Sequence, residues 1–146
     1  MKPGGDDTQR MNSPISSLLR VFVVEDSTLV RKRLAARIEP PAGEALVVGE
    51  AEDVETALRG IEASGPEVVI VDLRLTDCHG IDLLHALRDR TDSIVTIVLT
   101  NYATPVFRKA SFSAGADYFF DKTTEFDLAM ETIARLAREK HEGAAG

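Results

Sequence analysis

Residues 21–27 read VFVVEDS. Four apolar residues, Val21 to Val24, run straight into two adjacent carboxylates, Glu25 and Asp26. A short unbroken apolar run suits a strand buried on both faces, whereas two like charges at its tip repel and prefer water. Two questions follow: what covers the strand, and what holds the charges.

Working outward, the same rhythm returns four more times. Ser27 to Ile38 carries apolar residues at helical spacing, Val30, Leu34 and Ile38, and stops before Pro40 and Pro41. Ala45 to Val48 is a second apolar run. Val54 to Ala63 is helical, with Val54, Leu58 and Ile61 on one side, and ends at Gly65-Pro66. Val68 to Val71 is a third run, and Ile81 to Arg90 a helix with Ile81, Leu84 and Leu87 aligned. Ile94 to Leu99 is the fourth run. Pro105 to Ala114 opens with a proline suited to a first helical turn. Tyr118 to Phe120 is the fifth run. Phe126 to about Lys140 is a last helix, turning Phe126, Met130, Ile133 and Ala137 inward. Five βα units in succession predict an α/β fold: a five-stranded parallel sheet with helices on both faces and right-handed crossovers.

The chain has 146 residues, 44% apolar and 28% charged, which suits one domain with a full core. We assign that domain to residues 18–140. Residues 1–17, polar and rich in Gly and Pro without periodicity, are expected to form a flexible N-terminal tail, and residues 141–146 a flexible C-terminal one. The net charge of −7 and the lack of a long Lys/Arg run argue against direct binding to nucleic acid or to an anionic membrane. No apolar run approaches the roughly 20 residues of a membrane span. The single cysteine, Cys78, excludes an internal disulfide and fits the cytoplasm. Cys78 and its neighbour His79 lack partners at zinc-ligand spacing.

Ligands of open α/β sheets bind beyond the carboxyl ends of the strands. After the first run come Glu25 and Asp26, after the third Asp72, after the fourth Thr100, and just after the fifth Lys122. Packing does not require that set. Converging carboxylates raise one another's pKa unless a cation joins them, and oxygen donors suit a hard divalent ion, Mg2+ or Mn2+. Asp26 and Asp72 would bind it directly and Glu25 through water. Such an ion bridges to a phosphoryl oxygen, with Lys122 and the Thr100 hydroxyl serving two others. Asp72 is then the candidate nucleophile, able to form an acyl phosphate.

The stretches VVEDS, VIVDLRLTDCHG, IVLTNY and AGADYFFDK, in this order and spacing, resemble the receiver domain of bacterial two-component response regulators, of the single-domain, chemotaxis-regulator type. The resemblance spans about Leu18 to Lys140. It implies a flavodoxin-like sheet of strand order 2-1-3-4-5. It implies phosphoryl transfer to Asp72 from a histidine kinase or histidine phosphotransfer protein. It further implies Mg2+ held by Asp26, Asp72 and the Arg74 carbonyl with Glu25 assisting, phosphoryl contacts from Thr100 and Lys122, and a switch made of Thr100 and the aromatic Phe119. Arg74 and Tyr102, two residues beyond Asp72 and Thr100, would flank the phosphoryl and set its lifetime. The chain departs from the family at Thr76 and Thr123, where proline is common. Without that proline, a trans Lys122–Thr123 peptide is expected, with Thr123 or Thr124 capping the last helix.

The expected function is a phosphorylation-controlled signalling switch, not an enzyme beyond slow loading and loss of its own phosphoryl group. The output would be a protein contact on the face from Pro105 to Phe120 and the last helix. The alternative is a receiver-like binding module independent of phosphorylation. A phosphohydrolase with an Asp nucleophile would carry a D-x-D pattern after the first strand, which Glu25-Asp26-Ser27-Thr28 does not supply. A flavin site there would set acids against phosphate.

Overall fold

The computed structural model describes residues 18–39, 44–76, 80–90 and 93–145. The expected N-terminal tail, Cys78 and His79 lie outside the described residues. Five strands, β1 (Leu19–Val24), β2 (Ala45–Ala51), β3 (Val68–Val71), β4 (Val95–Thr100) and β5 (Tyr118–Asp121), alternate with five helices. These are α1 (Thr28–Ile38), α2 (Val54–Ser64), α3 (Gly80–Arg90), α4 (Pro105–Ser113) and α5 (Phe126–Ala145). The strands are all parallel, in the order β2-β1-β3-β4-β5.

The unbroken apolar runs explain the two-sided cover. Side chains alternate faces along a strand. Val21, Val23 and Ile70 therefore join Leu34, Ile38, Phe126, Met130 and Ile133 in one core beneath α1 and α5. Phe22, Val24, Val69 and Val71 join Ala57, Ile61, Leu83 and Leu87 in a second core on the opposite face. All four residues of β3 are buried. Their transfer from water contributes on the order of 10 kcal/mol, an upper figure because denatured chains are already partly collapsed. That is ample to hold a carboxylate at the strand's tip.

Local signals set most helix ends. Ser27 caps α1, its hydroxyl accepting from Val30 N–H (3.2 Å). Asp53 caps α2, and Gly65, at φ +57°, closes it in the left-handed region that favours glycine. Thr104 caps α4 ahead of Pro105. Several elements outrun the sequence pattern, β2, β4 and α5 among them. β2 continues past Val48 to Ala51, because an edge strand needs backbone pairing rather than apolar side chains. It pairs to Val24↔Ala51, with an irregularity that steps over Val48. β4 ends on Thr100, not Leu99. α5 passes Lys140 and reaches Ala145. Lys140 Nζ donates to the Leu18 carbonyl and to Glu67 Oε1, both at 2.8 Å, and so pins this end of the helix to the sheet.

Candidate functional site

Strand register assembles the site. Val24 and Val71 are directly paired, and Asp72 N–H donates to the Val24 carbonyl (3.0 Å), so Glu25 and Asp72 leave the sheet side by side. Lys122 N–H donates to the Thr100 carbonyl (2.9 Å), extending the β4–β5 ladder by one residue and setting Lys122 at the same edge.

Lys122 answers what holds the charges. Its Nζ donates to Glu25 Oε1 at 2.6 Å and to Asp72 Oδ2 at 2.8 Å. Glu25 is 3% exposed and Asp72 7%, while Asp26 stands in solvent. Burial pushes the Glu25 carboxyl above its ordinary value, against the opposing pull of Lys122 and of the Ser27 N–H that it accepts (3.0 Å). Burial alone would lower the Lys122 pKa; its hydrogen bonds to Asp72 and Glu25 outweigh that and raise it. The second Asp72 oxygen, Oδ1, accepts the Arg74 N–H (3.2 Å). One oxygen from each of Glu25, Asp26 and Asp72 lies within 4.8 Å of the others, a spacing and chemistry that fit a hard divalent cation.

These residues open into a cleft of about 260 Å³, walled also by Ser27, Asn101, Arg74 and Tyr102. The Arg74 guanidinium donates to the Tyr102 hydroxyl and lies 5.4 Å from its ring centroid. Two sequence candidates stand back from the cleft wall. Thr100 is fully buried, and its hydroxyl accepts the Tyr102 N–H (3.1 Å). Phe119, 5% exposed, belongs to the core, tilted against Phe112 with centroids 6.4 Å apart.

Peptide bonds among the described residues are trans, Lys122–Thr123 included. The expected threonine cap on α5 is not what forms. The Thr123 hydroxyl donates instead to Asn101 Oδ1 (3.1 Å). Asp121 Oδ1 takes the N–H groups of Thr123 and Thr124 (2.8 and 3.4 Å), and the Glu125 carbonyl accepts the first helical bond from Ala129. A short Asp side chain that binds the backbone two residues on closes such a turn more readily than threonine does.

Sequence reading missed Arg31. Its guanidinium donates to the Glu25 carbonyl (2.6 Å) and to Glu50 Oε1 (3.0 Å), fixing the backbone that presents the acidic pair. Its place one turn into α1, four residues after the Ser27 cap, was the available signal. Gly80 was missed too. A Cβ there would sit 2.6 Å from Leu73 Cα and 2.8 Å from the Asp72 carbonyl oxygen, so only glycine lets α3 start so close under the acceptor loop.

A family model described as the response regulator receiver domain matches residues 21–134. The chain is 30% identical over 122 residues to the DNA-binding transcriptional activator DevR/DosR of Mycobacterium tuberculosis, covering 84% of this chain and 54% of that protein. It is 32% identical over 120 residues to the transcriptional regulatory protein PhoP of Escherichia coli, covering 82% and 52%. The chain thus spans about half the length of these curated relatives. A solved CheY-like receiver domain protein from Methanospirillum hungatei superposes with a TM-score of 0.74 at 24% identity, covering 86% of this chain and 98% of that one, a likeness of fold.

Proposed function

The chain belongs to the response regulator receiver domain family, and on that premise we propose that it is a phosphorylation-controlled switch whose acceptor is Asp72. The observation that carries the reading is the Lys122 ammonium bridging Glu25 and Asp72, with Asp26 beside them. A buried acceptor carboxylate is thereby paired with a cation, beside carboxylates whose spacing suits a divalent ion.

Asp26 and Asp72 would hold Mg2+, with Glu25 and the Arg74 carbonyl assisting; Mn2+ suits the same oxygen donors. The ion supplies neutralisation of charge on the phosphoryl oxygens. An Asp72 oxygen attacks the phosphorus of a phosphohistidine on a histidine kinase or phosphotransfer protein. The new P–O bond forms as the P–N bond breaks, and the imidazole leaves with a proton. Lys122 pairs with one phosphoryl oxygen and the Thr100 hydroxyl with another. Arg74 and Tyr102 wall the cleft, and their bulk would slow water's attack on the adduct.

The output is a protein contact on α4, β5 and α5. In support, α4 exposes Val106, Phe107 and Phe112 within nine residues, and α5 exposes Leu128. No described helix is long and apolar enough to cross a membrane.

The test is incubation with a small phosphodonor and Mg2+, followed by intact mass. One base-labile, acid-stable phosphoryl group is expected on the wild type and none on Asp72→Asn. The same adduct on Asp72→Asn refutes the assignment. No adduct on the wild type favours a binding module independent of phosphorylation.

A further inference from the structure

We propose that Tyr102, rather than the buried Phe119, carries the signal from the acceptor to α4. The inference rests on the receiver reading above and names the residue through which this chain would execute it.

Tyr102 is held at two points by groups that border the acceptor. Its N–H donates to the Thr100 hydroxyl (3.1 Å), and its own hydroxyl accepts from the Arg74 guanidinium. The Arg74 N–H in turn reaches Asp72 Oδ1 (3.2 Å). Beyond these ties, the Tyr102 ring meets Phe107 edge-on, with centroids 6.4 Å apart at 79°. Phe107 lies in the first turns of α4, where its N–H is tied to the Thr104 cap (3.2 Å). A single side chain thus spans the loops after β3 and β4 and the start of α4.

The other end of α4 is fastened separately. Arg88 Nη1 donates to the Ser113 carbonyl (3.0 Å), and the Arg88 stem fills the space that a Cβ on Gly115 would need. The N-terminal turn is therefore the end whose position Tyr102 governs. Phe119 is poorly placed for that task. It has no polar atom to sense charge, it packs on Phe112, and the Arg108 guanidinium lies over its ring at 5.6 Å. Moving it would open the core.

A phosphoryl group on Asp72 would compete with Tyr102 for the Arg74 guanidinium and would draw the Thr100 hydroxyl, as a donor, toward itself. A guanidinium binds an anionic oxygen more strongly than a neutral phenol, and a hydroxyl that moves to donate to that oxygen carries along the N–H it accepts. Arg74 and Thr100 would turn to the phosphoryl together and loosen Tyr102 from both sides. Its ring would then leave Phe107, and the first turns of α4, with exposed Val106 and Phe107, would shift in population.

The experiment is amide chemical-shift mapping with Mg2+ and beryllofluoride, a phosphoryl mimic, on wild type, Tyr102→Ala, Tyr102→Phe and Phe119→Leu. Tyr102→Phe keeps the ring packing and removes only the tie to Arg74. In the wild type, shifts are expected around Glu25, Asp26 and Asp72 and across residues 105–113. With beryllofluoride saturating for each variant, the second group should shrink relative to the first in both Tyr102 variants, most in Tyr102→Ala. Phe119→Leu should retain both. A wild-type response at residues 105–113 in both Tyr102 variants overturns the relay and leaves the acceptor intact. Absence of any shift around Asp72 in the wild type overturns the receiver reading itself, and the relay with it.

Discussion

Replacing Lys122 by Met would leave Glu25 and Asp72, 3% and 7% exposed, facing each other without their shared cation. Met keeps the length of the stem, so the change is chiefly one of charge. Each charge-assisted hydrogen bond contributes about 1.5–3 kcal/mol, and removing one partner of a buried ion pair costs about 3–5 kcal/mol. Proton uptake caps the loss. Burial already raises the Glu25 pKa, and without Lys122 it rises further, so Glu25 can neutralise itself at modest cost. We therefore expect about 3 kcal/mol near pH 7, a fall in Tm of about 10 °C for a domain of this size. The sign of the pH dependence follows. A carboxyl whose folded pKa lies above its unfolded value destabilises the fold increasingly as pH rises through that interval. The variant should accordingly lose more stability at pH 8 than at pH 5, since the loss sets in as pH rises past the ordinary glutamate value of 4.5. Millimolar Mg2+ should narrow the gap, since a divalent ion replaces the missing cation. Thermal unfolding by circular dichroism at both pH values, with and without Mg2+, reads all three effects. A Tm within about 2 °C of wild type at pH 8 without Mg2+ would refute the view that Lys122 holds the acidic pair together.

Asp26→Ala removes an exposed charge from the cluster. It should leave Tm unchanged or slightly higher while abolishing Mg2+-dependent phosphorylation, which undiminished mass-spectrometric labelling would contradict. Burial favours a raised Glu67 carboxyl, but the Lys140 hydrogen bond and the Arg20 N–H outweigh it and hold the group below the ordinary 4.5. A depressed carboxyl lends stability above its unfolded pKa and loses it as pH falls through the folded one. Lys140→Met should therefore lower Tm at pH 7, and the difference should close below pH 4.5; an unvarying gap would count against the pair. Gly80→Ala would drive a methyl into the backbone of Leu73 and Asp72, costing about 1–3 kcal/mol by urea denaturation and disturbing the acceptor loop. Wild-type stability with wild-type labelling would show that α3 does not start so tightly.

The order of elements was legible in the sequence because its signals are local. Unbroken apolar runs mark strands buried on both faces. Pro105 announces a helix start, and Gly65 an end. The strand-end rule likewise selected Glu25, Asp26, Asp72 and Lys122, because each lies one or two residues past the end of an apolar run. The pattern failed where partners rather than periodicity decide. β2 runs on because β1 pairs with it, and α5 runs on past Lys140, which Leu18 and Glu67 anchor. Asp121 rather than either threonine organises the turn before α5.

The sequence by itself determined five βα units, the two apolar cores they require and the four charged residues bound for one edge, since periodicity and turn chemistry act over a few neighbours. Tertiary structure alone decided what those residues do to one another. Lys122 reaches across 97 positions to Glu25 and 50 to Asp72, and Arg74 across 28 to Tyr102. It also withdrew Thr100 and Phe119 into the interior and placed Tyr102 between the acidic cleft and α4. Such contacts depend on register and on how α4 lies against the sheet, and no pattern within one turn or one strand records them.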